Sequence, residues 1–195
     1  MAGSGEPGRR FALRGIALIL LGLSVSVTLA ADAPPPAEPS DYRVDDYRSP
    51  TPRTLQGAVV LSSADAMALW KAKAARFIDV MPRARRPDNL PPETLWHVPD
   101  HLAIPGSAWL ANTGTGVLAP AAAAYFQEQL HGLTAGDRTA PLVFYCQRNC
   151  WMSWNAAKRA IALGYARVHW FPDGADGWTE IGGALTPVTP AEPAP

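Results

Sequence analysis

The chain has 195 residues, 48% apolar and 17% charged, with 17 basic side chains balanced by 17 acidic ones. That is the composition of a globular protein with room for one domain plus appendages, and it excludes a disordered or fibrous chain. No basic run or basic excess is present to neutralise phosphates, which excludes nucleic acid as a partner.

In chain order, Arg9, Arg10 and Arg14 come first, before an uncharged apolar run over residues 16–30 that closes on small residues. A charged start, an apolar middle and small residues at the end are the pattern of a secretory signal peptide, assigned to residues 1–30. The run is about 15 residues long, short of the roughly 20 needed to span a bilayer, so membrane contact is expected only through this segment if it stays uncleaved. Its removal leaves 14 basic and 16 acidic residues, a slightly acidic protein expected in the periplasm. Residues 31–56 are rich in Pro, Asp and Arg and read as a tether, with Tyr42 and Tyr47 placed to dock it onto the domain. Residues 186–195 read as a second Pro-rich tail, which leaves 57–185 as the folded domain.

Within that domain strands and helices alternate. Residues 57–61 predict a strand, and 63–74 a helix with Ser63 as N-cap and Met67, Trp70 and Ala74 on one face. Residues 76–80 predict a buried strand on which Asp79 is a paired structural carboxylate. The proline-rich connection over 82–103 is long enough without secondary structure to suggest a docking or functional loop. A short strand over 107–110, a turn at 113–116, and a helix over 120–131 with Pro near its first turn come next. Residues 141–145 form a continuous apolar strand, and Ser153 is the expected N-cap of a helix running to Leu163 and stopped by Gly164. The last strand, 166–171, carries His169 on its solvent side. This order predicts an α/β fold with a mainly parallel central sheet and helices on both faces.

The stretch FYCQRNCWMSWN, residues 144–155, holds both cysteines of the chain, Cys146 and Cys150. Cys146 directly follows a buried strand and precedes a helix, the place where ligands bind in open α/β sheets because loop amides and a helix N-terminus converge there. Amides turned toward the sulfur would lower the thiol pKa, and Arg148 would add positive charge if turned inward. In an oxidising compartment the two thiols are also free to pair. Three readings therefore stand open: a reactive thiol at Cys146 with Cys150 as its partner, a permanent disulfide, and inert thiols in a binding module. A metal clip is not expected. His97 and His101 repeat the four-residue spacing, but Pro99 interrupts any helix that would align them. The c-type haem pattern is absent because Trp151 follows Cys150, and no cofactor is expected. Trp170 and Trp178 are expected in the core, and Trp151 as core or as a lid over the sulfur.

Several features in series resemble rhodanese-like domains: Phe77-Ile78-Asp79-Val80, Ile104-Pro105-Gly106, the strand ending in Cys146, Gly164-Tyr165, and Asp173-Gly174 followed by Gly177-Trp178. CQRNCWMSWNAAKRA and HWFPDGADGW further resemble an exported subgroup named for a Cys-Cys-Trp motif and associated with catabolism dependent on pyrroloquinoline quinone. The resemblance implies that Cys146 takes up sulfane sulfur as a persulfide, cradled by the amides of Gln147, Arg148, Asn149, Trp151 and Met152 up to Ser153. Cys150 would then act as a resolving thiol. The implied partners are a small sulfur donor and acceptor or a periplasmic redox protein. The loop is one residue longer than in ordinary rhodaneses, and Met152 stands where an arginine usually precedes the helix, which argues against phosphatase activity.

Overall fold

The computed structural model describes residues 1–3 and 34–192, so the expected signal segment lies almost wholly outside the described residues. The fold occupies the unit that begins at Pro34. Its elements are β1 (Ala58–Val60), α1 (Ser63–Lys71), β2 (Arg76–Asp79), β3 (His101–Ala103), β4 (Ala108–Trp109), α2 (Pro120–Thr134), β5 (Leu142–Tyr145), α3 (Trp151–Ala162), β6 (Val168–Phe171), α4 (Gly174–Glu180) and β7 (Thr186–Val188). β1, β6, β5, β2 and β4 lie side by side in that order, each pair parallel, giving the expected α/β architecture.

β5 sits at the centre, and all four of its residues are buried. Side chains alternate across a strand, so Leu142 and Phe144 join Phe126 and Leu130 of α2 and Trp154 of α3 on one face. Val143 and Tyr145 join Phe77, Ala66 of α1 and Trp178 of α4 on the other. Trp170 and Trp178, expected in the core, are both buried.

Three of the departures from expectation bear on the site. The N-cap of α1 is Ser62 rather than Ser63: the Ser62 hydroxyl accepts from Asp65 N at 3.2 Å while Asp65 accepts from Ser62 N at 3.3 Å. That reciprocal box needs an acidic residue three positions on; Ser62 has one in Asp65, whereas Ser63 has Ala66. α3 starts at Trp151 with Cys150 as N-cap, three residues before the expected cap at Ser153. The third concerns the chain ends of the domain. The connection over 82–103 finishes in β3, which pairs antiparallel with β7 in the stretch read as a tail, with His101 opposite Val188 and Ala103 opposite Thr186. Pro190 and Ala191 continue this contact, Ala191 N donating to Trp109 O at 2.9 Å.

Candidate functional site

β5 delivers Cys146 to the α3 side of the sheet by the same alternation that places Leu142 and Phe144 there. The residue before it is locked: the Tyr145 hydroxyl accepts from Ile104 N at 3.0 Å and donates to Ser107 Oγ at 2.8 Å, and burial pushes its pKa well up. The residue after it is locked by α4. Ala175 N donates to Cys146 O at 2.9 Å, and Gln147 bridges to Gly174. Gly174 has φ +50°, and a Cβ there would fall 2.4 Å from Cys146 O, so only glycine lets the helix start against this loop.

Cys146 and Cys150 are joined by a disulfide across a loop of Gln147, Arg148 and Asn149, with their Cα atoms 6.5 Å apart. Both are buried, at 0% and 1% exposure. The carbonyl oxygens of Gln147 and Cys150 lie 3.6 and 3.7 Å from Cys146 Sγ. These two carbonyls can accept from the Cys146 thiol once the disulfide is opened, contacts that favour the thiol over the thiolate.

The other expected site residues are dispersed around the loop. Arg148 turns outward: Nε meets Asp173 Oδ1 at 2.9 Å, and Nη1 and Nη2 meet the Glu180 carboxylate at 2.5 and 2.6 Å. Hydrogen bonds that Arg148 donates to Glu180 and then to Asp173 hold its pKa up, and Arg148 in turn lowers that of Glu180. The Arg148 charge therefore serves α4 and not the sulfur. Gln147 is half-buried; Asn149 is exposed and takes the left-handed conformation, φ 54°, that turns the loop. Met152, at the position of the missing arginine, packs against Gly114, where a Cβ would lie 2.3 Å from Met152 Cβ. Ser153 is fully buried, donating to Cys150 O at 3.2 Å and accepting from Trp170 Nε1 at 3.0 Å.

Trp151 is buried and held by residues of the expected tether. Its backbone N–H, the first of the helix, donates to Tyr47 O at 2.9 Å, and its indole N–H to Ser49 Oγ at 3.1 Å. Arg43 lies over its ring at 5.4 Å. Tyr47 packs against the cluster that contains both cysteines, and its hydroxyl accepts from Gly116 N at 3.1 Å. Residues 43–49 thus form a strap across the start of α3.

The anchor of that strap is Asn155, a residue given no role by the motifs in the sequence. Fully buried, it accepts from Arg43 N at 2.9 Å and donates to Arg43 O at 2.8 Å and Gly114 O at 3.0 Å. Arg159, one turn further on, holds the 113–116 turn by donating to Thr113 O, Thr115 O and Gly116 O. A polar amide among the apolar positions of a helix is the available signal, since a buried amide must find partners.

Of the histidines, His101 is bonded to Asp79, Nε2 to Oδ2 at 2.8 Å, and stacks on Trp109. The pairing makes Asp79 a satisfied buried carboxylate, as expected. His169 is half-buried, its Nδ1 donating to Leu142 O at 3.2 Å, and burial lowers its pKa.

Among solved structures, the chain is similar to a thiosulfate sulfurtransferase from Pseudomonas aeruginosa, at 19% identity over 68% of this chain and 21% of that one, with a TM-score of 0.45. It therefore spans about a fifth of that protein's length. A polysulfide-sulfur transferase homodimer from Wolinella succinogenes matches at 20% identity over 67% and 79%, TM-score 0.40. A protein of unknown function from Rhodopseudomonas palustris, described as a possible tyrosine phosphatase, matches at 19% over 66% and 85%, TM-score 0.42. A search of curated proteins finds no match. The family model for the rhodanese-like domain matches residues 62–181, more than half of the chain, from the start of α1 to just past the end of α4. The chain belongs to the rhodanese-like domain family.

Proposed function

We propose that the chain is an exported thiol-redox protein of the sulfur-carrying kind, in which the Cys146–Cys150 disulfide is the resting state of a reactive pair. The observation that carries the reading is the disulfide itself, placed where the family puts its sulfur site, between the end of β5 and the N-terminus of α3. A dithiol reductant opens the bond, and each cysteine gains a proton as the reductant closes its own disulfide. The freed Cys146 thiolate attacks the sulfane sulfur of a donor such as thiosulfate, forming a persulfide and releasing sulfite. Cys150 then attacks Cys146 Sγ, expelling hydrosulfide and restoring the disulfide. Each turn consumes two electrons from the external dithiol.

Three features support the surrounding context: the apolar run 16–30 supports export, a resting disulfide suits an oxidising compartment, and the CQRNCW motif supports an association with quinone-dependent periplasmic oxidation. Intact mass measured after reduction and thiosulfate or polysulfide treatment tests the chemistry. The Cys150→Ser variant should retain one added sulfur, the wild type should return to the disulfide mass, and Cys146→Ser should gain nothing. If Cys150→Ser takes up no sulfur from either donor, sulfur transfer at Cys146 is wrong.

The complete burial of both cysteines favours a second reading, a structural staple in a binding module. A disulfide that resists millimolar dithiol in the folded protein, with Cys146→Ser matching wild type in cells, would establish that reading instead.

A further inference from the structure

A cleft of about 350 Å³ opens beside β3 and β7, lined by Arg83, Asp100, His101, Trp109, Pro187 and Pro190 among others, and it includes neither cysteine nor any residue of the loop between them. At its wall is a fixed Asp–His pair. Asp79 is 1% exposed, its Oδ1 accepting from Met81 N at 2.8 Å and its Oδ2 facing His101 Nε2 at 2.8 Å. An ionised carboxylate only accepts, so Nε2 carries a proton toward Asp79, and in the neutral imidazole Nδ1 is the acceptor. Trp109 stacks on the imidazole with ring centroids 4.0 Å apart, and its own Nε1 is tied to Met81 O at 2.7 Å, which holds the histidine ring in place. Nδ1 has no hydrogen-bond partner among the described residues, and no buried side-chain nitrogen or oxygen among them lacks one, so Nδ1 is not sealed from solvent.

The same cleft carries one charge of each sign. Arg83 offers a guanidinium and Asp100 a carboxylate; both are exposed, and neither is paired with another charged side chain among the described residues. Pro187, Pro190 and Trp109 supply apolar wall. A rigid acceptor, one cation, one anion and an apolar surface in a volume of this size fit a small ligand with both charges next to an apolar body.

We propose that this cleft binds a zwitterionic α-amino acid with an apolar side chain. Arg83 takes the carboxylate, Asp100 and His101 Nδ1 take the ammonium, and the prolines and Trp109 receive the side chain. A carboxylate lacking the ammonium leaves two acceptors without a donor and meets Asp100; an amine lacking the carboxylate meets Arg83. Selectivity therefore follows from the unmatched groups as much as from the matched ones.

The test is an NMR titration of the protein with L-phenylalanine, 3-phenylpropionate and 2-phenylethylamine, observing the His101 imidazole nitrogens. L-phenylalanine is expected to shift the His101 signals saturably in the millimolar range, and each of the other two to bind about tenfold or more weakly. Arg83→Gln and Asp100→Asn should each weaken L-phenylalanine about tenfold without changing thermal unfolding, since both side chains are exposed. Equal binding of the three probes, no His101 shift with L-phenylalanine, or unchanged affinity in both variants overturns the proposal. The cysteine pair plays no part in any of these readouts.

Discussion

The strap across α3 should control how fast the disulfide can be reduced, and Asn155→Ala tests this directly. The Asn155 side chain makes three hydrogen bonds in a fully buried position, two to Arg43 and one to Gly114. At about 0.5–1.5 kcal/mol each, their loss together weakens this anchor by roughly 1.5–4.5 kcal/mol. Both cysteines are buried, so a dithiol reaches them only when the structure opens locally, and the reduction rate follows the population of that open form. Each 1.4 kcal/mol changes a population about tenfold, so a strap loosened by about 2 kcal/mol opens roughly 30 times more often. Native-state reduction by dithiothreitol, quenched by alkylation and read by mass spectrometry, should run at least about tenfold faster in Asn155→Ala than in wild type. Denaturant unfolding measured alongside gives the global loss. If the variant is destabilised globally while its disulfide is reduced within about twofold of the wild-type rate, the strap does not gate the sulfur and the reasoning fails.

Other residues around the loop make separate claims. Gly174→Ala places an L-residue at positive φ, which costs about 1–2 kcal/mol, and pushes a Cβ into Cys146 O; urea denaturation should show a loss above about 2 kcal/mol, and a variant as stable as wild type contradicts the close contact. Arg148 lowers the Glu180 carboxyl, so the folded pKa lies below the unfolded one, and this pair's stabilisation is present above the ordinary carboxylate value and lost as pH falls through the folded value. Arg148→Gln should move the Glu180 NMR titration midpoint upward; no movement refutes the pairing in solution. Burial lowers the His169 pKa, so the unfolded chain takes up a proton before the folded one and stability falls as pH drops below the ordinary histidine value of about 6.5. His169→Gln should flatten that part of the stability profile between neutral and mildly acidic pH, and an unchanged slope assigns the acid sensitivity elsewhere.

The position of the sulfur was legible because it rests on local rules. An apolar run too short for a helix gave β5, and period-two alternation carried Cys146 to the same side as Leu142 and Phe144. Its surroundings were not legible, because they come from residues remote in sequence. Arg148 points away because Asp173 and Glu180 lie at the N-cap and the last residue of α4, 25 and 32 residues downstream. The start of α3 shifts to Trp151 because Tyr47, about a hundred residues upstream, supplies the acceptor for its N–H; Ser153, a sound cap by residue type, becomes a buried link between Cys150 and Trp170. The strap and β7 were read as tether and tail for one common reason. Both attach through backbone groups, tyrosines and prolines, and so carry little of the apolar periodicity that marks a core element.

That division bears on the chemistry. A thiol that follows a buried strand is placed by its nearest neighbours, but whether it meets solvent, a donor or its own partner depends on segments that arrive from elsewhere in the chain. Here those segments are the strap over Trp151 and the glycine start of α4 against Cys146 O. Variation in either changes access to the sulfur without touching either cysteine. A rhodanese-like chain that keeps its cysteine but alters the strap would therefore be expected to change its rate of reduction before it changes the reaction it performs.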